Sequence, residues 1–223
     1  MFIGLLGGSF NPIHNGHLHI AQQTSRLLAF DQLLFVPTGD PPHKETATLA
    51  PAFHRLAMVK LAIAPFPRYA VYEREIHFPG ISYTFDTLTQ LKREYPPETR
   101  FGFLIGLDAF LDIQTWKKSE ALFTLCQFIV SSRPGVSFAQ LQKLPFFPSQ
   151  YRTQLDQLDA GTQRQADVEL PHKLPLTLLS VPPCDVSASA IRRSLAQKQP
   201  VGAWLPAQVE SYILQHRLYQ CPN

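Results

Sequence analysis

Between residues 7 and 17 the chain reads Gly7-Gly8-Ser9-Phe10-Asn11-Pro12-Ile13-His14-Asn15-Gly16-His17, a stretch rich in groups suited to handling a phosphate. Two glycines directly after an apolar run let the backbone turn sharply and come close to a ligand. The amides of Gly8, Ser9 and Phe10, freed from a sheet, can point at phosphate oxygens. A helix opening near Gly16-His17 adds the positive end of its dipole at the same place. His14 and His17 can then face one phosphate group and stabilise the charge of a phosphoryl transition state without a covalent step. Other readings stay open on these residues alone. A Gly-Gly pair can be nothing more than a turn. His14, His17 and His19 could bind a metal, but no neighbouring carboxylate or cysteine completes a ligand set, so no protein metal site is expected. The pattern GxGxxG is absent, which weighs against NAD as a bound cofactor.

The elements that must position these groups follow from hydrophobic periodicity. Phe2–Leu6 predicts a strand buried on both faces, because its apolar residues do not alternate. His17–Ala29 has helical spacing, and Asp31–Val36 predicts a second strand. Pro51–Ala64 predicts a helix with Phe53, Leu56, Ala57, Leu61 and Ala64 on its inner side. Tyr69–Tyr72 reads as a strand, Tyr83–Tyr95 as a helix, and Phe101–Ile105 and Phe128–Ser131 as strands. Residues 134–175 read as an irregular insertion, broken by Pro134-Gly135, Pro145, Pro148 and Pro171, with one helix around Ser149–Leu158. Leu176–Val181 resumes as a strand, with closing helices over Ser187–Gln197 and Pro206–Leu218. Strands separated by helices predict βαβ units, hence an α/β fold: a Rossmann-like, doubly wound parallel sheet with helices on both faces and a small C-terminal helical part. Such sheets collect ligands at the carboxyl ends of their strands, near the switch in strand order. Gly7-Gly8-Ser9, Thr38–Lys44, Gly106–Asp108 and Pro182–Ser187 all fall there.

Composition narrows the class. Of 223 residues, 45% are apolar and 17% charged, the balance of a globular chain with a full core. The net charge of +3 suits an anionic ligand, but no Lys/Arg run resembles a nucleic-acid tail, so nucleic acid is not expected as a partner. Cys126, Cys184 and Cys221 form no CxxC pair and are odd in number, which points away from a disulfide framework and toward a reducing cytoplasm. The apolar start from Met1 breaks into Gly-Gly-Ser within a few residues, too short for a signal segment or a membrane span.

Residues 7–17 resemble the HxGH motif of the nucleotidyltransferase superfamily, with flanks similar to those of bacterial nicotinate-nucleotide adenylyltransferases. The similarity continues in order. Pro41-Pro42-His43-Lys44 resembles that family's PPHK loop, and Tyr83-Thr84-Phe85-Asp86-Thr87-Leu88 its SYTxxTL segment. Ile105-Gly106-Leu107-Asp108 with Trp116 resembles its IGxDxxxxxxxW stretch, and Ser187-Ala188-Ser189-Ala190-Ile191-Arg192 its SxTxxR motif. The resemblance spans nearly the whole chain outside the insertion and implies one nucleotidyltransferase domain over 1–223.

It also implies roles. His14, His17 and Arg192 would be catalytic. Gly8, Ser9, Phe10, His17, Gly106, Asp108, Ser187, Ser189 and Arg192 would bind ATP. Lys44, Tyr83, Thr84 and Trp116 would bind the acceptor, nicotinate mononucleotide, with Trp116 stacking on its ring. The residues themselves are compatible with this. Ser187 and Ser189 sit where hydroxyls cap a helix and anions bind, and Arg192 falls one turn further on. Plainer roles also fit: a capping serine, a solvated lysine, an N-cap at Asp108, a tryptophan in the core. Arg193, adjacent on the helix, points elsewhere. The implied reaction is in-line attack of the acceptor's phosphate on the α-phosphorus of ATP, with Mg²⁺ brought by ATP rather than caged by carboxylates. Ser189 stands where the family more often has Thr, and the hydroxyl is kept. Nicotinamide mononucleotide or phosphopantetheine is the alternative acceptor, and a non-catalytic nucleotide- or RNA-binding module is the alternative class. Oligomeric state carries no signal in the sequence.

Overall fold

The computed structural model describes residues 1–40, 49–78 and 80–220. Seven strands form one sheet in the order β3-β2-β1-β4-β5-β7-β6. These are β1 (Phe2–Gly8), β2 (Gln32–Pro37), β3 (Tyr69–Val71), β4 (Arg100–Gly106), β5 (Gln127–Ser131), β6 (Gln165–Val168) and β7 (Leu176–Leu179). The β1–β4, β4–β5, β5–β7 and β2–β3 pairs are parallel, and β6 runs antiparallel along β7. Strand order reverses between β1 and β4, the mark of a doubly wound, Rossmann-like α/β fold. Burial follows place in the sheet. Phe101–Ile105 of β4 and Phe128–Ser131 of β5 are buried without a break, as expected of strands covered on both faces. Edge strand β6 alternates instead, with Ala166 and Val168 buried and Asp167 exposed.

Helices α1 (Asn15–Leu27), α2 (Ala52–Ile63), α3 (Arg74–His77), α4 (Thr84–Glu94), α5 (Leu107–Leu111), α6 (Ser119–Leu125) and α7 (Arg152–Asp159) fall between strands β1 and β6, and α8 (Ala188–Ala196) and α9 (Ala207–Gln215) follow β7. The chain divides into two compact units. One comprises Met1–Leu6, Gln23–Asp31 and Tyr83–Pro183; the other comprises Gly7–Gln22, Gln32–Ser82 and Cys184–Asn223.

Two expectations change. The inner face of α2 carries Leu56, Met58, Val59, Ala62 and Ile63, while Phe53 is 61% exposed. This helix is apolar nearly all round, so periodicity leaves its rotation unset. Arg55 lies fully buried on it, and a buried guanidinium is tolerable only among acceptors, so its partners help to set the face. The insertion is more regular than its prolines imply, holding 3₁₀ turns at Phe138–Lys143 and Ser149–Tyr151, helix α7 and strand β6. Short β6 is recruited by pairing with β7 and has little intrinsic pattern of its own.

Candidate active site

The second unit holds the glycine–histidine loop. Gly7 and Gly8 are the last two residues of β1 rather than the first past it, and the Thr38 amide donates to the Gly8 carbonyl at 2.9 Å. Phe10 then turns the chain at φ 45°, a left-handed conformation unusual for a side-chain-bearing residue. Its ring is buried, edge-on to His17 at 5.0 Å, which anchors the turn. Helix α1 starts at Asn15, and the His14 carbonyl accepts from the amides of His17 (2.9 Å) and Leu18 (3.3 Å).

The His14 amide donates to His17 Nδ1 at 3.2 Å. An accepting Nδ1 needs its lone pair, so the neutral ring carries its proton on Nε2, a donor. The two imidazoles lie almost face to face, with centroids 3.8 Å apart and planes inclined by 31°. Gly16 permits this. A Cβ there would stand 3.0 Å from two atoms of the His14 ring and 3.5 Å from the Val186 carbonyl.

The same unit brings the closing motif to this loop. Ser187 caps α8 by accepting the Ala190 amide at 3.2 Å. Arg192, one turn on, donates from Nη1 to the Asn11 carbonyl at 2.7 Å and from Nη2 to Ser189 Oγ at 3.3 Å. Asn15 bonds the carbonyls of Ala203 and Trp204 through its side chain and amide. His14, His17, Gly8–Phe10, Ser187, Ser189 and Arg192 therefore share one compact unit, although their motifs lie about 180 residues apart.

The first unit carries the remaining described residues. Gly106, the N-cap of α5, lets Asp108 and Arg133 close over it, since a Cβ would lie 2.5 Å from Asp108 Oδ1 and 2.7 Å from Arg133 Nε. Asp108 lies in the first turn, not at the cap, and accepts from Arg133 Nε at 3.3 Å. Tyr83 is the extended residue before α4, and Thr84 opens that helix. Lys117 bonds Asp86 at 2.8 Å and lies 4.4 Å above the Tyr83 ring. Trp116 is partly buried, edge-on to Phe103 at 6.2 Å. Lys44 lies outside the described residues.

The model of the cytidylyltransferase-like family matches residues 5–194. A Synechococcus strain (JA-3-3Ab) has a relative named "probable nicotinate-nucleotide adenylyltransferase", 39% identical over 99% of this chain and 95% of its own length. A Moorella thermoacetica protein of the same name is 35% identical over 98% of this chain and 91% of its own. The chain belongs to the nicotinate-nucleotide adenylyltransferase family.

The solved nicotinic acid mononucleotide adenylyltransferase of Plasmodium falciparum, complexed with NaAD, shares the fold of this family member with a TM-score of 0.73. The match has 22% identity and covers 98% of this chain and 97% of that one.

Sequence reasoning missed the residues that hold this adenylyltransferase's loop in place. The buried Arg55 donates from Nε to the Ala50 carbonyl (2.9 Å), from Nη1 to those of Ser9 (2.8 Å) and Thr38 (2.6 Å), and from Nη2 to that of Gly39 (2.8 Å). It thereby ties the segment after β1 to the segment after β2. Burial draws its pKa down, opposed by the nearby Tyr219. Asn11 Oδ1 accepts both the Ala50 amide (3.0 Å) and the Tyr219 hydroxyl (2.8 Å). A lone arginine inside the apolar run of α2 was the available signal for Arg55. Nothing local marks Tyr219. Among the described residues no three His, Cys, Asp or Glu side chains gather to hold a metal ion, and no helix is long and apolar enough to cross a membrane.

Proposed function

We propose that this enzyme, acting as one domain over 1–223, transfers the adenylyl group of ATP to nicotinate mononucleotide in NAD biosynthesis, giving nicotinate adenine dinucleotide and pyrophosphate. A phosphate oxygen of the acceptor attacks the α-phosphorus in line. The bond from the α-phosphorus to the oxygen bridging to the β-phosphate breaks, and its electron pair leaves with pyrophosphate. The acceptor phosphate is already ionised at neutral pH, so no protein nucleophile or strong base is required.

The observation that carries this reading is the paired histidine loop. With Nδ1 of His17 occupied by the His14 amide, the ring presents Nε2–H as a fixed donor. That donor sits in the same unit as the Gly8–Phe10 amides and the Arg192 guanidinium. Fixed donors aimed at developing charge are the main source of acceleration where nothing covalent is needed. His14, His17 and Arg192 stabilise that charge. Gly8, Ser9, Phe10, Ser187 and Ser189 seat the phosphates, while Gly106 and Asp108 take the ATP ribose. Tyr83, Thr84 and Trp116 receive the nicotinate ring, and Lys44 the acceptor phosphate. The guanidinium, imidazole N–H and amide donors match phosphate oxygens, and the ion enters as the Mg·ATP substrate, held mainly by phosphate and water. The enzyme acts in the cytoplasm, with nucleotides rather than nucleic acid or membrane as its partners.

The test is incubation with Mg·ATP and, separately, nicotinate mononucleotide, nicotinamide mononucleotide and phosphopantetheine, with products identified by mass. Nicotinate adenine dinucleotide plus pyrophosphate is expected as the favoured outcome. Preferred turnover of either other acceptor, or no product at all, rules the reading out.

A further inference from the structure

After α9 the chain is turned back by residues other than glycine. Arg217 sits at φ 51° and donates its amide to the Leu214 carbonyl at 3.2 Å, while Leu218 donates to Ile213 at 3.0 Å. This pair of bonds is a Schellman ending, in which glycine usually holds the left-handed position. Tyr219 follows at φ 62°, also left-handed, with Leu218 buried between the two. Such conformations are unfavourable for side-chain-bearing residues and persist where surrounding contacts over-determine them.

What the turn achieves is a contact 208 residues back along the chain: the Tyr219 hydroxyl donates to Asn11 Oδ1 at 2.8 Å. The same oxygen takes the Ala50 amide at 3.0 Å, so both of its lone pairs are used and the Asn11 side chain is fixed. The backbone carbonyl of Asn11 is the acceptor that holds Arg192 Nη1 at 2.7 Å. We propose that Tyr219 is a positioning residue for Arg192, acting through Asn11 to hold the guanidinium where it meets the triphosphate of ATP. The proposal rests on the assignment of Arg192 to ATP made above. A phenol suits the task because it is a neutral donor and leaves the charge of Arg192 for the ligand. Burial pushes the Tyr219 hydroxyl well above the ordinary tyrosine range, so it stays a donor at every working pH. Among the described residues the guanidinium donates one bond to Asn11 and one to Ser189, which leaves N–H groups to meet phosphate oxygens.

Tyr219→Phe keeps the ring and removes only the hydroxyl. Its Kd for Mg·ATP, by calorimetry on the full chain, and its KM for ATP should rise roughly two- to tenfold, the range of one lost hydrogen bond. KM for the acceptor should stay unchanged. In an Arg192→Lys background the same substitution should have no effect on Mg·ATP affinity, because the group it positions is gone. Equal losses in both backgrounds, or a loss confined to the acceptor, overturn the proposal. Should Tyr219→Phe melt well below the parent, Asn11→Ala takes its place in the same cycle. A wild-type chain that binds no ATP sinks the Arg192 assignment as well, whereas wild-type binding with an additive cycle sinks only the positioning role.

Discussion

Gly16→Ala separates the two uses a helix start can make of a glycine. Gly16 is the second residue of α1, where alanine is the better helix former by at most about 0.5–1 kcal/mol. On stability alone the variant should hold its melting temperature or rise by roughly 2–4 °C per kcal/mol gained. The added Cβ, however, would lie 3.0 Å from Cε1 and Nδ1 of His14, against an ordinary contact of 3.4–4 Å. The ring must yield by a few tenths of an ångström. The Val186 carbonyl, 3.5 Å from the same point, bounds the space on another side. A misplacement of about 1 Å at reacting groups can cost about 100-fold, so a shift of roughly 0.4 Å should lower kcat about fivefold. Pyrophosphate release at saturating substrates, read beside a thermal melt, measures both quantities. Unchanged kcat with an unchanged melt refutes the claim that the His14 ring position matters. A melting temperature lower by many degrees shows instead that the glycine serves folding.

Further outcomes can be checked alongside it. His17→Ala should reduce kcat by about 10²–10³-fold, the scale of one lost oxyanion-type donor, and near-normal turnover removes His17 from the mechanism. Arg55→Leu removes a fully buried guanidinium that four carbonyls share as donor, one of them buried and three part-buried, and should cost about 3–5 kcal/mol, lowering the melting temperature by roughly 10 °C. A shift under about 2 °C contradicts that count. Asp86→Ala breaks only an exposed pair with Lys117, so chemical denaturation should show a loss below about 1 kcal/mol. Cys126, whose thiol is pushed far above its ordinary pKa by burial, should resist alkylation in the native state while the partly exposed Cys184 reacts, as peptide mapping would reveal.

How much was legible beforehand depended on range. The strands at Phe2, Phe101 and Phe128 were readable because unbroken apolar runs admit few other roles. Helix α8 was readable because Ser187 caps it as the local pattern implies. Helix α6 escaped notice: its N-cap is Lys118 at φ 52° with no side-chain bond, so it begins without a sequence cue. The motifs that carry the candidate site residues stood out by residue type and spacing, and the structure gathers His14, His17, Ser187, Ser189 and Arg192 into one unit. What supports them was not legible. Arg55 collects carbonyls from three separate segments, and Tyr219 reaches Asn11 across most of the chain. Such partners are chosen by tertiary closure, which no window of neighbouring residues encodes.

The span of those contacts bears on how the molecule comes into being. Asn11 leaves the ribosome early, but its partners Arg192 and Tyr219 follow 181 and 208 residues later. At ordinary elongation speeds of about 5–20 residues per second, that is a wait of roughly 10–40 s. Throughout it the Asn11 carbonyl waits for Arg192 and the Asn11 side chain for Tyr219. The cluster around Asn11 closes late in synthesis, through contacts of high contact order that are slow to form.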